Sequence, residues 1–258
     1  MVGFSFKDDT LLCALDLGLT DGVNRATAEL VQRGVVGAVS CLTISDIWPQ
    51  TAPMLSQLRS SGPPDLKIGL SIRLTGAFSP LTAGFAPENA LRTGSLPDLD
   101  DFARAARGFA LNDKLIEAEC RAQLRRFTAH AGYGPQFIVL DETMLLFGAA
   151  AKALSATLAK FGFQDMILLC PVVPKPRGWI ERVKQKWLWG SQCHLSKPWQ
   201  RRQLVEPQSV KQLPPQASWR LDGQSWSAVR PAYDDERLAR FDQDPERRTE
   251  QLGWFAAP

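Results

Sequence analysis

Three acidic side chains stand where short apolar runs end. Asp16 closes the run Leu11 to Asp16, and Asp141 and Glu142 follow Phe137 to Leu140. A carboxylate in such a place can hold a cation, take a proton or bind a hydroxyl. It can also simply hydrogen-bond the loop and helix start beside it, and for Asp16 both readings stay open. Asp141 and Glu142 together suit a cation or a sugar hydroxyl, with loop pairing as the alternative. Only two histidines are available, His130 at the end of a long helical stretch and His194 in a basic segment. Neither sits near a strand end, so imidazole chemistry at the acids is not expected. The five cysteines, Cys13, Cys41, Cys120, Cys170 and Cys193, form no CxxC pair. Four of them lie in apolar or helical stretches, which predicts buried free thiols and a reducing, cytoplasmic compartment.

A second cluster of reactive types lies further on. Residues 173–203 carry eight Lys or Arg against one acid, Glu181, together with Trp179, Trp187, Trp189 and Trp199. From Trp179, the positions Ile180, Val183 and Trp187 share a helical face, with Arg182, Lys184 and Lys186 elsewhere. Trp179, Lys184, Lys186, Trp187 and Trp189 are therefore candidate surface-binding residues. An anionic membrane surface, a glycan and a protein partner each suit that chemistry. Packing of the indoles onto the body of the protein is the structural alternative. No nucleic-acid motif accompanies the patch, and the net charge of +3 is mild, so nucleic acid is the least favoured partner.

The elements that must position these residues follow a regular order. Apolar runs at 11–16, 35–43, 66–74, 137–140 and 166–170 read as buried strands. Helical periodicity separates them, from Thr20 to Arg33, from Thr51 to Ser60, from Asn112 to about Ala131 and from Ala149 to Lys160. This alternation is the signature of parallel βαβ units. Residues 75–98 form a long loop, of a length more often functional than accidental. Residues 218–226 read as a hairpin around Asp222 and Gly223. The 258 residues, 45% hydrophobic, suffice for a single domain over 1–258, with 173–217 as an insertion or extended loop. The first ten residues show no charged-then-apolar leader.

Four blocks then carry a family resemblance. Ala14-Leu15-Asp16-Leu17-Gly18-Leu19-Thr20 with Gly22-Val23-Asn24-Arg25 is the first. Gly69-Leu70-Ser71-Ile72-Arg73-Leu74-Thr75 is the second. Glu119 through Gln123, Leu124 and Phe127 is the third, and Pro135 with Leu140 to Leu145 is the fourth. In this order they resemble the YdjC-like carbohydrate deacetylases, which include diacetylchitobiose and hopanoid-linked sugar deacetylases. The resemblance implies a distorted TIM-like β/α barrel, with its site at the C-terminal strand ends. It also implies a homodimer.

Deacetylation by that family implies a metal on one aspartate and two histidines, an aspartate base and a late histidine acid. Carried onto this chain, the metal positions become Asp16, Ser71 and Thr143. The base position becomes Leu15, and the acid position becomes Arg230. Leucine takes no proton, and an arginine with a pKa above ~12 exchanges none at neutral pH. One carboxylate and two hydroxyls suit zinc poorly and would hold magnesium only weakly. We therefore expect no cofactor, and a catalytically inactive homologue whose cleft binds a glycan, a lipid-linked sugar or a partner. Asp16, Ser71, Arg73, Asp141, Glu142 and Thr143 are its candidate cleft residues. Two alternatives stay open: an active hydrolase on N-acetylated sugars with a rebuilt metal site, and a scaffold peripheral to the membrane.

Overall fold

Apolar runs flanked by amphipathic helices can bury themselves only by pairing edge to edge beneath those helices. In the computed structural model they do so. It describes residues 10–85, 94–107, 111–140, 147–163, 166–171, 200–207, 225–242 and 244–255. Among these, seven strands close into a barrel in sequence order: β1 (Thr10–Leu17), β2 (Ala38–Cys41), β3 (Lys67–Ser71), β4 (Phe137–Val139), β5 (Ile167–Pro171), β6 (Gln200–Val205) and β7 (Ser225–Val229). Every adjacent pair is parallel, and β7 pairs back onto β1 from Thr10↔Ser225 to Ala14↔Val229. The architecture is a distorted TIM-like α/β barrel.

Helices cover it in chain order: α1 (Asp21–Gln32), α2 (Trp48–Thr51), α3 (Met54–Ser61), α4 (Leu99–Arg107), α5 (Asp113–Ala131), α6 (Gly148–Lys160), α7 (Leu238–Phe241) and α8 (Pro245–Gly253). Thr20 caps α1 by accepting from the Val23 N–H, and Asn112 caps α5 by accepting from the Lys114 N–H. Gly132, with φ of 77°, ends α5 in the left-handed conformation that glycine adopts at least cost. Cys13, Cys41, Cys120 and Cys170 are buried free thiols.

Two apolar layers follow from strand alternation. Leu11, Cys13 and Leu15 of β1 pack with Phe137, Leu169, Leu204 and Trp226 inside the barrel. Leu12 and Ala14 face the helices in the larger outer core. The interior is tightly filled. A Cβ on Gly69 would lie 2.4 Å from the Phe137 ring, so the glycine of β3 makes room for the aromatic of β4.

Several expectations shift in detail. The helix expected over 51–60 starts only at Met54, after Pro53, and a separate short helix, Trp48–Thr51, precedes it. Trp226 and its neighbours, read as one arm of a hairpin, form a parallel barrel strand between β6 and β1. The rest of that hairpin lies outside the described residues. The stretch 173–217, read as an insertion, contributes barrel strand β6 through its residues 200–205. β6 reads Gln-Arg-Arg-Gln-Leu-Val and is polar on both faces before Leu204, so it forms no apolar run.

Candidate functional site

The site grows from an irregularity at the end of β1. Ala14 pairs with Val39 and Leu17 with Cys41, so three steps along β1 match two along β2. The extra residue is a bulge, and Asp16 within it has a φ of 67°. A non-glycine residue in this left-handed region is uncommon, and such strain clusters at sites. The bulge breaks the alternation. Leu15 stays in the barrel interior, Leu17 turns to the outer core, and Asp16 is presented to the barrel mouth.

Asp16 is 2% exposed, yet it is not alone. Its Oδ1 accepts from Arg73 Nη2 at 2.9 Å, and its Oδ2 accepts from Arg248 Nη2 at 2.7 Å. Arg248, on α8, is equally buried and donates through Nε to Asp242. Burial alone would raise the Asp16 pKa. The guanidiniums of Arg73, Arg248 and Arg230 outweigh it and hold the carboxyl well below the usual carboxylate range. Burial would likewise lower the Arg248 pKa, but Asp16 and Asp242 raise it. Both side chains therefore stay charged.

Hydroxyls complete the floor. The Asp16 N–H donates to Ser40 Oγ at 3.4 Å, and Ser40 Oγ lies 2.8 Å from Ser71 Oγ. Ser40 and Ser71 end β2 and β3 on the interior side. Arg73, two residues past Ser71, is fixed by Gln123 of α5. The Gln123 Oε1 accepts from the Arg73 N–H at 3.0 Å, and its Nε2 donates to the Arg73 carbonyl at 2.7 Å. Gln123 also donates to Glu119, whose carboxylate accepts from the Leu81 and Thr82 N–H groups and the Thr82 hydroxyl. The glutamate and glutamine of the long helix thus hold the loop after β3 and aim Arg73.

The other side of the mouth is a cleft of ≈ 190 Å³ lined by Glu206, Arg230, Asp242, Asp244, Arg247, Arg248 and Gln251. Arg230 Nε lies 3.3 Å from Glu206, and the Arg230 N–H donates to Gln251 at 2.6 Å.

Of the residues singled out from sequence, the structure brings Asp16, Ser71, Arg73 and Arg230 to one mouth. Leu15 lies beside them in the apolar interior. Asp141, Glu142 and Thr143 lie outside the described residues, as do Trp179, Lys184, Lys186, Trp187 and Trp189. His130 is exposed at the end of α5, with Nδ1 2.8 Å from the Arg126 carbonyl. Ser40, Asp242 and Arg248 escaped sequence reasoning. A signal existed for Arg248: it shares the buried face of α8 with Gln251 and Leu252, an unusual place for a guanidinium without a partner.

A divalent metal does not fit the donors among the described residues of the mouth. Each Asp16 oxygen already accepts from a guanidinium, and the two nearby hydroxyls bond to each other. An added dication would sit against Arg73 and Arg248 at short range, in a medium that screens poorly. Among the described residues, no three His, Cys, Asp or Glu side chains converge as a metal site.

Fold and site together define a TIM-like barrel protein with a charged mouth at its C-terminal strand ends. The YdjC-like protein family matches residues 10–258, and the chain belongs to that family. No curated protein sequence matches it. Among solved structures, it is similar to a protein from Enterococcus faecalis V583 named for cellobiose-phosphate cleavage. The TM-score is 0.65 at 16% identity, covering 96% of this chain and 90% of that one. That likeness shows the fold. A structure described as native KDPGal aligns with a TM-score of 0.37 and 13% identity over 95% of this chain and 91% of that one.

Proposed function

We propose that this chain is a YdjC-like protein that no longer deacetylates and whose barrel mouth binds a saccharide without metal. The observation that carries this reading is the occupation of both Asp16 oxygens by Arg73 and Arg248. The family chemistry needs a metal-activated water and a base beside it. Here two tethered cations supply the positive charge, and the base position is Leu15, 2% exposed in an apolar interior. A saccharide suits the polar groups that remain, because sugar hydroxyls both donate to carboxylates and accept from guanidiniums. Glycans and lipid-linked sugars share that chemistry. The buried free thiols accord with a reducing cytoplasm. Among the described residues, no helix is long and apolar enough to cross a membrane.

The test combines metal analysis of protein purified without added metal with an assay of acetate release from N,N′-diacetylchitobiose, with and without zinc or magnesium. We expect no stoichiometric zinc and no turnover. Acetate release that a chelator abolishes would establish the rival reading, an active hydrolase with a rebuilt metal site.

A further inference from the structure

Arg248 has three guanidinium nitrogens and only two of them are committed. Nε donates to Asp242 and Nη2 to Asp16. Nη1 is buried and has no hydrogen-bond partner among the described residues. The side chain is 3% exposed. An unpaired N–H on a buried cation is costly, which makes it an observation that asks for an acceptor. Arg248 also lines the cleft of ≈ 190 Å³ between β6, β7 and α8. That cleft is polar and balanced in charge. Arg230, Arg247 and Arg248 face Glu206, Asp242 and Asp244. Nearby, Asp242 stays ionised: burial would raise its pKa, but Arg248 and the Asp244 N–H hold it down.

Resting on the saccharide reading above, we infer that Arg248 is the ligand-contacting donor of this cleft and that the cleft selects an uncharged sugar ring. Nη1 donates to a ring or hydroxyl oxygen, and the carboxylates of Glu206 and Asp242 accept from neighbouring hydroxyls. A phosphate or uronate fits poorly. It could accept from Nη1, but the three guanidiniums of the cleft are already set against Glu206 and Asp242, so little positive charge is left to hold an anion, and the anionic group has no proton to give the carboxylates beside it. A hydroxyl satisfies both kinds of partner at once.

The experiment is a binding screen by saturation-transfer NMR on the full chain. The probes are glucose, N-acetylglucosamine, cellobiose and N,N′-diacetylchitobiose, alongside glucose 6-phosphate, cellobiose 6-phosphate and glucuronate. We expect binding confined to neutral members, weakened about tenfold or more in Arg248→Lys, which keeps the charge and loses the fork. Should Arg248→Lys fail to fold, Glu206→Gln carries the test. Removing one carboxylate should let the 6-phosphates bind about as well as the neutral sugars. A preference of the parent for the phosphates or glucuronate overturns the inference but leaves the saccharide reading standing. So does neutral binding that is indifferent to Arg248→Lys, or selectivity unchanged in Glu206→Gln. Binding of no probe at all overturns the saccharide reading itself.

Discussion

The barrel mouth has two rims built in different ways. On the β1–β3 rim, Asp16, Ser40, Ser71 and Arg73 all stand at or just beyond strand ends. Their positions follow from strand alternation plus one bulge, with Gln123 bracing Arg73 from behind. On the opposite rim, Arg230 and Glu206 end strands too, but the decisive group, Arg248, comes from a helix 232 residues along the chain from Asp16. The first rim is specified locally and the second by docking. They meet at one carboxylate, Asp16, which both rims neutralise. Here the join is made of side chains and therefore belongs to the fold.

The largest way to break that join is Asp16→Asn. It would leave Arg73 and Arg248 without their shared anion, and removing one partner of a buried ion pair costs about 3–5 kcal/mol. Urea unfolding would read the loss. Adding Arg248→Met should recover part of it, since the stranded charge goes with the side chain. A loss below about 1 kcal/mol in Asp16→Asn would mean that the rims are held together by something else. The same pair fixes the acid behaviour. The folded pKa of Asp16 is depressed below its unfolded value of about 3.9. Its contribution is therefore complete above that value and is lost as pH falls towards the folded one. Stability should decline on the acid side below about pH 4, and Asp16→Asn should flatten that decline.

The same contrast governs what could be read from sequence. The barrel, and Asp16, Ser71 and Arg73 as members of one mouth, were legible because apolar runs and short motifs are local signals. Arg230 was legible only through the family's late motif. Ser40 was not, because a serine inside an apolar run carries no signal until its neighbour across the ladder is known. Arg248 carried only the weak signal of sharing the buried face of α8 with Gln251 and Leu252, and nothing local named Asp16, at the other end of the chain, as its partner. The bulge escaped for the same reason. It is visible only as a mismatch between β1 and β2, and neither strand shows it alone.

A smaller effect sharpens the account of the first rim. Gln123→Leu keeps the apolar contacts of α5 but strips the Arg73 N–H and carbonyl of their partners. Leaving buried polar groups unsatisfied costs roughly 1–3 kcal/mol. Arg73 would also lose its aim at Asp16, so the effect of Arg73→Met measured on top of Gln123→Leu should shrink. Full additivity of the two changes would show that Gln123 supports the loop without positioning Arg73.

The smallest expected effect comes from a second ion pair that also spans the two rims. Arg237, just before α7, donates to both oxygens of Asp46 at 3.0 and 2.8 Å, and Asp46 lies between β2 and α2. Its donor–acceptor distances, both from Nη2, are close to the 2.7 Å of Arg248 to Asp16, and it too ties the N-terminal part of the chain to the C-terminal part. The difference is solvent. The side chains of Arg237 and Asp46 are 43% and 68% exposed, against 3% for each member of the buried pair. Water competes for both charges and salt screens them, and ordering two mobile side chains costs entropy, so such pairs contribute between about 0 and 1 kcal/mol. Arg237→Ala should therefore cost less than about 0.5 kcal/mol in urea unfolding. A loss approaching that of Asp16→Asn would place the join at the surface, and the buried arginines would then be passengers of the docking that Arg237 secures.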